Sequence, residues 1–271
     1  MYKLIACDLD ETLLNDNHEV CEKNIIAIKK ASNLGIKFVP ATGRGYRAIE
    51  NILKTLDLYN KKDEYVISFN GCSLVECENY KTILFNGLPF YKADDLFRFG
   101  LTKDVCIQIY TEDTVYMYNL NTDEKNRNND LKTHFIELKE PSIKFLKSTP
   151  IAKMIFQNTD VPYLMSFEME MKKITEGEVS VSYSSNRYME MNKSGVNKGQ
   201  TMLSLAALLG IKKEETIAVG DNYNDLSMLK AAGLSVAAGN AVEGVKELCG
   251  YTCSNDNNEG VLSEVIEKFI L

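Results

Sequence analysis

Histidine is nearly absent: the 271 residues include only His18 and His134. The seven cysteines are odd in number and form no Cys-x-x-Cys pair. Zinc knuckles and disulfide frameworks need such patterns, so neither is encoded, and a reducing, cytoplasmic setting is expected. No apolar run approaches the ~18 residues of a membrane span. Asp8, Asp10 and Glu11 stand where a secretory signal would place its apolar segment, so export is not expected either. Basic residues are in deficit, 31 Lys and Arg against 38 Asp and Glu, for a net charge of −7 and a pI near 5.1. That balance excludes a broad basic field for a nucleic-acid backbone, so any phosphate must be met by a few local groups. Apolar residues at 45% and charged residues at 25% suit a compact globular chain and no fibrous or disordered class. The length allows one or two domains.

Short apolar runs alternate with helical patterns. Residues 3–7 (KLIAC) read as a strand that stops at Asp8-Leu9-Asp10, and Ile25, Ile28, Ala31 and Leu34 then repeat at helical spacing before Gly35. Residues 36–40 (IKFVP) lead into Ala41-Thr42-Gly43-Arg44 and a helix carrying Ile49, Ile52, Leu53 and Leu56; residues 65–69 end at Asn70-Gly71. The same alternation returns late, with a helix over 199–209, a strand over 216–219, a helix over 226–232, a strand over 234–237 and a helix over 242–248. Such repetition predicts an α/β fold, a Rossmann-like doubly wound parallel sheet. Between the halves the pattern changes. Residues 105–110 and 115–118 flank Thr111-Glu112-Asp113-Thr114 as a hairpin would, and Asn126 to Asp130 (NRNND) reads as a polar loop or helix start. The expected organisation is a core of residues 1–85 and 187–271 interrupted by an α+β insertion over 86–186.

Ligands of open parallel sheets bind outside the carboxyl ends of the strands. The residues there are Asp8 and Asp10, Thr42 and Gly43, Asn70 and Gly71, and Asp221 and Asp225. Any one of them alone would ordinarily cap a helix or a turn. Several carboxylates converging on one crevice repel one another unless a cation sits among them, and an all-oxygen donor set suits Mg²⁺. Lys198 opens the 199–209 helix at its electropositive end, a position that an anion or the acidic rim would favour; the alternative is a solvated surface lysine.

These residues resemble the haloacid-dehalogenase-like (HAD) phosphatases. Asp8-Leu9-Asp10-Glu11-Thr12-Leu13 is similar to that family's DxDxT motif, Ala41-Thr42-Gly43-Arg44 to its second motif, Lys198 to its third and Gly220-Asp221-Asn222-Tyr223-Asn224-Asp225 to the GDxxND form of its fourth. Gly239-Asn240-Ala241 and Asn258-Glu259-Gly260-Val261 resemble late loops of the Cof-type subfamily, and the placement of the insertion resembles its class IIB cap.

The resemblance implies a Mg²⁺-dependent phosphatase acting on small phosphorylated metabolites through an aspartyl-phosphate. Asp8 would be the nucleophile and Asp10 the acid and base. Mg²⁺ would be held by Asp8, the Asp10 carbonyl and Asp221, with Asp225 serving the metal shell or Lys198. Lys198 and Thr42 would hold the phosphoryl group, with Gly43, Arg44, Asn70 and Asn224 beside it. The cap would roof the crevice and sort substrates, with Tyr183, Asn186 and Arg187 as candidates there. The expected partner is a small-molecule phosphate ester, with no nucleic acid and no membrane. Two other chemistries share the motif types: phosphoryl transfer between sugar positions, and a phospho-acceptor signalling domain, against which the long insertion and Asp10 argue. His18 and His134 have no partner spacing, and Cys7 reads as a small buried apolar residue.

Overall fold

The structure, a computed structural model, describes residues 1–130 and 134–271. Its elements in chain order are β1 (Leu4–Cys7), α1 (Glu22–Asn33), β2 (Lys37–Pro40), α2 (Glu50–Thr55), β3 (Tyr65–Ser68), β4 (Ser73–Glu76) and β5 (Lys81–Phe85). Then come α3 (Phe90–Gly100), β6 (Cys106–Thr111), β7 (Val115–Tyr118), α4 (Thr122–Asp130), β8 (Phe135–Glu137), β9 (Ile151–Gln157), α5 (Val161–Met165), α6 (Glu168–Thr175), β10 (Val179–Ser184) and β11 (Tyr188–Lys193). The chain finishes with α7 (Lys198–Leu208), β12 (Thr216–Gly220), α8 (Leu226–Ala231), β13 (Leu234–Ala237), α9 (Glu243–Lys246), β14 (Tyr251–Thr252) and α10 (Val261–Phe269). Two compact units result, Met1–Leu84 with Asn197–Leu271, and Phe85–Val196.

The first unit is built on a parallel sheet of order β14-β13-β12-β1-β2. Every residue of β1 is fully buried, as expected of a central strand covered on both faces. Helix α1 buries Asn24, Ala27, Ile28 and Ala31, one stripe at helical spacing, and packs beside α10, which buries Val261, Leu262, Val265 and Ile266. Because the strands run parallel, β1, β2 and β12 all end on one rim, delivering Asp8, Ala41-Thr42 and Asp221 there. The third apolar run behaves differently from a further parallel strand. It meets the end of β2 through a bridge, Ala41 to Ile67, and then reverses to pair antiparallel with β4 in a separate sheet of order β3-β4-β5. The cause is the turn at Phe69–Gly71, where Asn70 (φ 56°) and Gly71 (φ 97°) take left-handed backbone and turn the chain back within four residues.

The second unit is a six-stranded sheet of order β10-β11-β9-β6-β7-β8, antiparallel except between β7 and β8. The expected hairpin is present, with Ile107 opposite Tyr118 and Tyr110 opposite Val115. One face carries Ile107, Ile109, Met154, Phe156, Met189 and Met191 into a core shared with α3 and α6. The other face holds buried polar pairs: Lys153 Nζ lies 2.6 Å from Glu190, and Gln108 donates to Glu124 of α4 at 2.8 Å. Asn126 to Asp130, read as loop or helix start, lie inside α4. The return crossing falls after Val196 and not after residue 186, because β11 pairs with both β10 and β9 and so belongs to this sheet. Among the described residues no helix is long and apolar enough to cross a membrane.

Candidate active site

Asp8 follows β1 directly. Its N–H continues the ladder to Val219 of β12 (3.0 Å), and this fixes its backbone at the rim. The side chain is buried, and one carboxylate oxygen accepts from Lys198 Nζ at 2.5 Å. Lys198 is the first residue of α7, 1% exposed, and the Asn197 side chain caps that helix by accepting from Gln200 N–H at 2.9 Å. A lysine at this helix end is unfavourable by itself. Here the ammonium is answered twice, since it also donates to Asp225 Oδ1 at 2.8 Å. The solvated-lysine alternative therefore does not hold.

Asp225 is fully buried, and its second oxygen accepts the N–H groups of Asp221 (3.1 Å) and Asn222 (3.3 Å). The chain can fold back this tightly only over a glycine, because a Cβ at Gly220 would stand 2.6 Å from the Asp225 side chain. Asp221 is buried and accepts from the Thr12 hydroxyl at 2.6 Å. Asp8, Asp221 and Asp225 each present a carboxylate oxygen within 4.8 Å of the others. Burial pushes Asp8 up to about 8 despite the neighbouring Lys198, with Asp225 and Asp221 adding to the shift. Burial likewise raises Asp221 to about 6, opposed by the Thr12 hydrogen bond. Burial would lower the Lys198 pKa, but Asp8 and Asp225 outweigh it and hold the ammonium charged.

The second strand end is bonded to the third. Thr42, fully buried, donates its N–H to Ile67 and accepts from Asn70 N–H, both at 2.9 Å, and its hydroxyl accepts from Arg44 N–H at 3.0 Å. Gly43 lies against the Asn70 side chain, whose Oδ1 is buried with no hydrogen-bond partner among the described residues. Gly71 in turn abuts the start of α7: Thr201 donates to its carbonyl at 2.6 Å, and a Cβ there would fall 2.3 Å from the Asn197 carbonyl group. With φ at +97° as well, Gly71→Ala is expected to push the Lys198 turn out of place. Left-handed strain costs ~1–3 kcal/mol, so urea unfolding should register that loss together with a drop in kcat/KM. Wild-type values for both would contradict the role of this close approach.

Asp10 lies in the turn Leu9–Leu13, half-exposed, and its carboxylate is gripped by the Arg44 guanidinium. Asn240 Nδ2 donates to the Glu11 carbonyl at 2.8 Å and Asn257 Nδ2 to the Leu14 carbonyl at 3.1 Å, so the late loops hold the first motif's turn. Sequence reasoning passed over Thr12 and Asn257. Thr12 is the T of DxDxT and could have been singled out from the motif, whereas nothing local marks Asn257. Asn224 is exposed in the turn between β12 and α8.

In the second unit Tyr183 donates to Glu168 at 2.7 Å and Arg187 to Asp123 at 2.9 Å, while Asn186 sits in the β10–β11 turn with φ 49°. His18 and His134 are exposed. The Cys7 thiol is fully buried and pushed well above its ordinary value by burial and then by Asp8, which leaves it no nucleophilic character.

Residues 5–265 match the family model for haloacid dehalogenase-like hydrolases. A haloacid dehalogenase-like hydrolase from Bacteroides thetaiotaomicron is 30% identical, with a TM-score of 0.88 over all of both chains. The HAD subclass IIB sugar phosphatase BT4131 is 25% identical over 98% of each chain, with a TM-score of 0.82. The 5-amino-6-(5-phospho-D-ribitylamino)uracil phosphatase YcsE of Bacillus subtilis is 27% identical, the alignment covering 99% of this chain and 96% of the relative.

Proposed function

Since the chain belongs to the haloacid dehalogenase-like hydrolases, as a Cof-type phosphatase, we propose that it hydrolyses small phosphomonoesters, sugar phosphates foremost, through a phosphorylated Asp8. The observation that carries this is the buried chain Asp8–Lys198–Asp225 at the end of β1, with the half-exposed Asp10 two residues on. An Asp8 oxygen attacks phosphorus as the ester P–O bond opens, and Asp10 passes a proton to the departing alkoxide. Asp10 then takes a proton from water, whose oxygen displaces Asp8 and leaves inorganic phosphate. Lys198, locked by two carboxylates, meets the phosphoryl oxygens together with the Thr42 hydroxyl. Gly43, Asn70 and Asn224 line the same end of the substrate.

Mg²⁺ fits the donor set. The three clustered carboxylates are hard oxygen donors. Burial first, and the neighbouring carboxylates after it, raise Asp8 and Asp221, and a bound cation would relieve both effects. Asp8, Asp221 and the Asp10 main-chain carbonyl would hold the ion, which when bound supplies positive charge against the phosphoryl oxygens. Both Asp225 oxygens are already engaged by Lys198 and the 221–222 amides, which supports its service as the anchor of Lys198 over direct ligation.

Chelation should abolish turnover and Mg²⁺ restore it, with Ca²⁺ unable to substitute because it accepts more ligands at longer distances. A binding readout accompanies this. Without the ion, folded Asp8 keeps its proton to about pH 8, whereas the unfolded chain releases it near the ordinary 3.8. Metal-free stability therefore falls as pH rises between those values. The Mg²⁺-induced gain in Tm should be larger at pH 8 than at pH 5. Full activity in excess chelator, or the opposite order of Tm gains, would overturn the assignment.

The sugar-phosphate class is supported by the name of one relative, the subclass IIB sugar phosphatase, while that of YcsE, a 5-amino-6-(5-phospho-D-ribitylamino)uracil phosphatase, supports the wider class of small phosphomonoesters. A phosphate-release screen over a metabolite panel tests it, and isomerised sugar phosphate in place of free phosphate would point to a phosphomutase. A cytoplasmic setting belongs to the same proposal, supported by an odd count of seven cysteines with no Cys-x-x-Cys pair.

A further inference from the structure

We propose that Arg44 is the positioning residue for Asp10 and not part of the grip on the phosphoryl group. This rests on the phosphatase reading above, in which Asp10 moves the leaving-group proton. The Arg44 Nε donates to Asp10 Oδ2 at 3.0 Å while a terminal nitrogen of the same guanidinium takes Oδ1, a two-point fork that sets the plane of the carboxyl group as well as its place. Each oxygen gives one lone pair to the fork and keeps another for a proton.

Asp10 needs such a support. Its side chain is 44% exposed, and it sits in a turn whose next residue, Glu11, has left-handed backbone (φ 58°), so the local chain does not pack the carboxyl into one orientation. Arg44 can provide it because its own backbone is held on both sides: its N–H donates to the Thr42 hydroxyl (3.0 Å), and its carbonyl accepts from Phe69 N–H (3.1 Å). The contrast with Lys198 is informative. Lys198 joins two buried carboxylates beside the ends of β1 and β12, whereas Arg44 joins one half-exposed carboxylate in a turn.

A proton donor out of line penalises poor leaving groups and spares good ones, since p-nitrophenolate departs with little protonation. General acid catalysis is worth ~10²–10⁴-fold. Arg44→Ala should therefore lower kcat/KM for glycerol phosphate by about 30-fold or more, part of that range, and for p-nitrophenyl phosphate by less than about threefold. The Ki of inorganic phosphate as a competitive inhibitor should stay within about threefold, and Arg44→Lys, with the charge but no fork, should fall between. Adding Arg44→Ala to Asp10→Asn should cost little more, because the two residues act as a unit. Thermal melting confirms the fold of each variant. Equal losses on both esters, or a rise in phosphate Ki beyond about tenfold, would make Arg44 a phosphate-binding residue and overturn the inference. If Asp10→Asn itself shows no leaving-group dependence, the role of Asp10 falls and the inference with it; if Asp10→Asn shows it and Arg44→Ala does not, only the inference falls.

Discussion

Asp8→Asn is expected to lower turnover of every phosphate ester by more than ~10⁴-fold, the scale on which removal of a nucleophile acts. The fold should survive, because the amide has the volume of the carboxylate and its oxygen can still accept from Lys198 Nζ. It also removes a buried charge that the protein already holds at a cost, as the elevated protonation range of Asp8 shows. Tm in the absence of Mg²⁺ should thus be equal to or above that of the wild type at pH 8. Turnover is measured by phosphate release, and fold by circular dichroism. A residual rate above about a hundredth of wild type would sink the assignment, since loss of general acid catalysis alone accounts for ~10²–10⁴-fold. Trapping of a phosphorylated wild-type protein that is absent in Asp8→Asn would complete the test.

Lys198→Ala is expected to be costly in two separable ways. It strands Asp8 and Asp225, both buried, without their shared cation, and breaking a buried pair by removing one partner costs ~3–5 kcal/mol. It also removes charge that addresses the phosphoryl group, with a rate loss of ~10²–10³-fold, as found when a preorganised donor is deleted. Lys198→Arg keeps the charge and separates the two, since it should recover more stability than rate. Across a substrate panel the loss should be uniform in kcat/KM, because every ester carries the same phosphoryl group. Substitutions in the unit Phe85–Val196, such as Asn186→Ala and Arg187→Ala, should instead reorder the panel. The division of labour is wrong if Lys198→Ala changes preference more than rate, or if the second unit's variants scale all substrates alike.

Much of the site was legible because parallel strands place their last residues on one rim whatever the rest of the chain does. Asp8, Thr42 and Asp221 each follow an apolar run, and the structure puts each just past a strand of the parallel sheet, while Asn70 follows β3 of the separate sheet and reaches the rim by donating to the Thr42 carbonyl. Asp225 and Lys198 were legible as motif members, yet their pairing was not, for they lie 27 residues apart on different elements. The second unit was legible only where a turn signal marked it. The hairpin around residues 111–114 was readable, but β9 was not, because its seven buried residues, IAKMIFQ, include a lysine whose charge is answered by Glu190 on a neighbouring strand.

By itself, then, the chain determined the alternation of strands and helices and the oxygen-donor residue types of the rim, both of which follow from local patterning and residue type. Tertiary structure decided which charges meet. Burial turned Lys198 from a helix-end residue into a bridge between Asp8 and Asp225, Thr12 became the hydrogen-bond donor to Asp221, and Arg44 was given to Asp10. The physical reason is that the energy of a charge depends on its distance from other charges and on its access to water. Both are set by how strand ends and helix starts approach one another, at glycines such as Gly71 and Gly220 where no Cβ stands in the way.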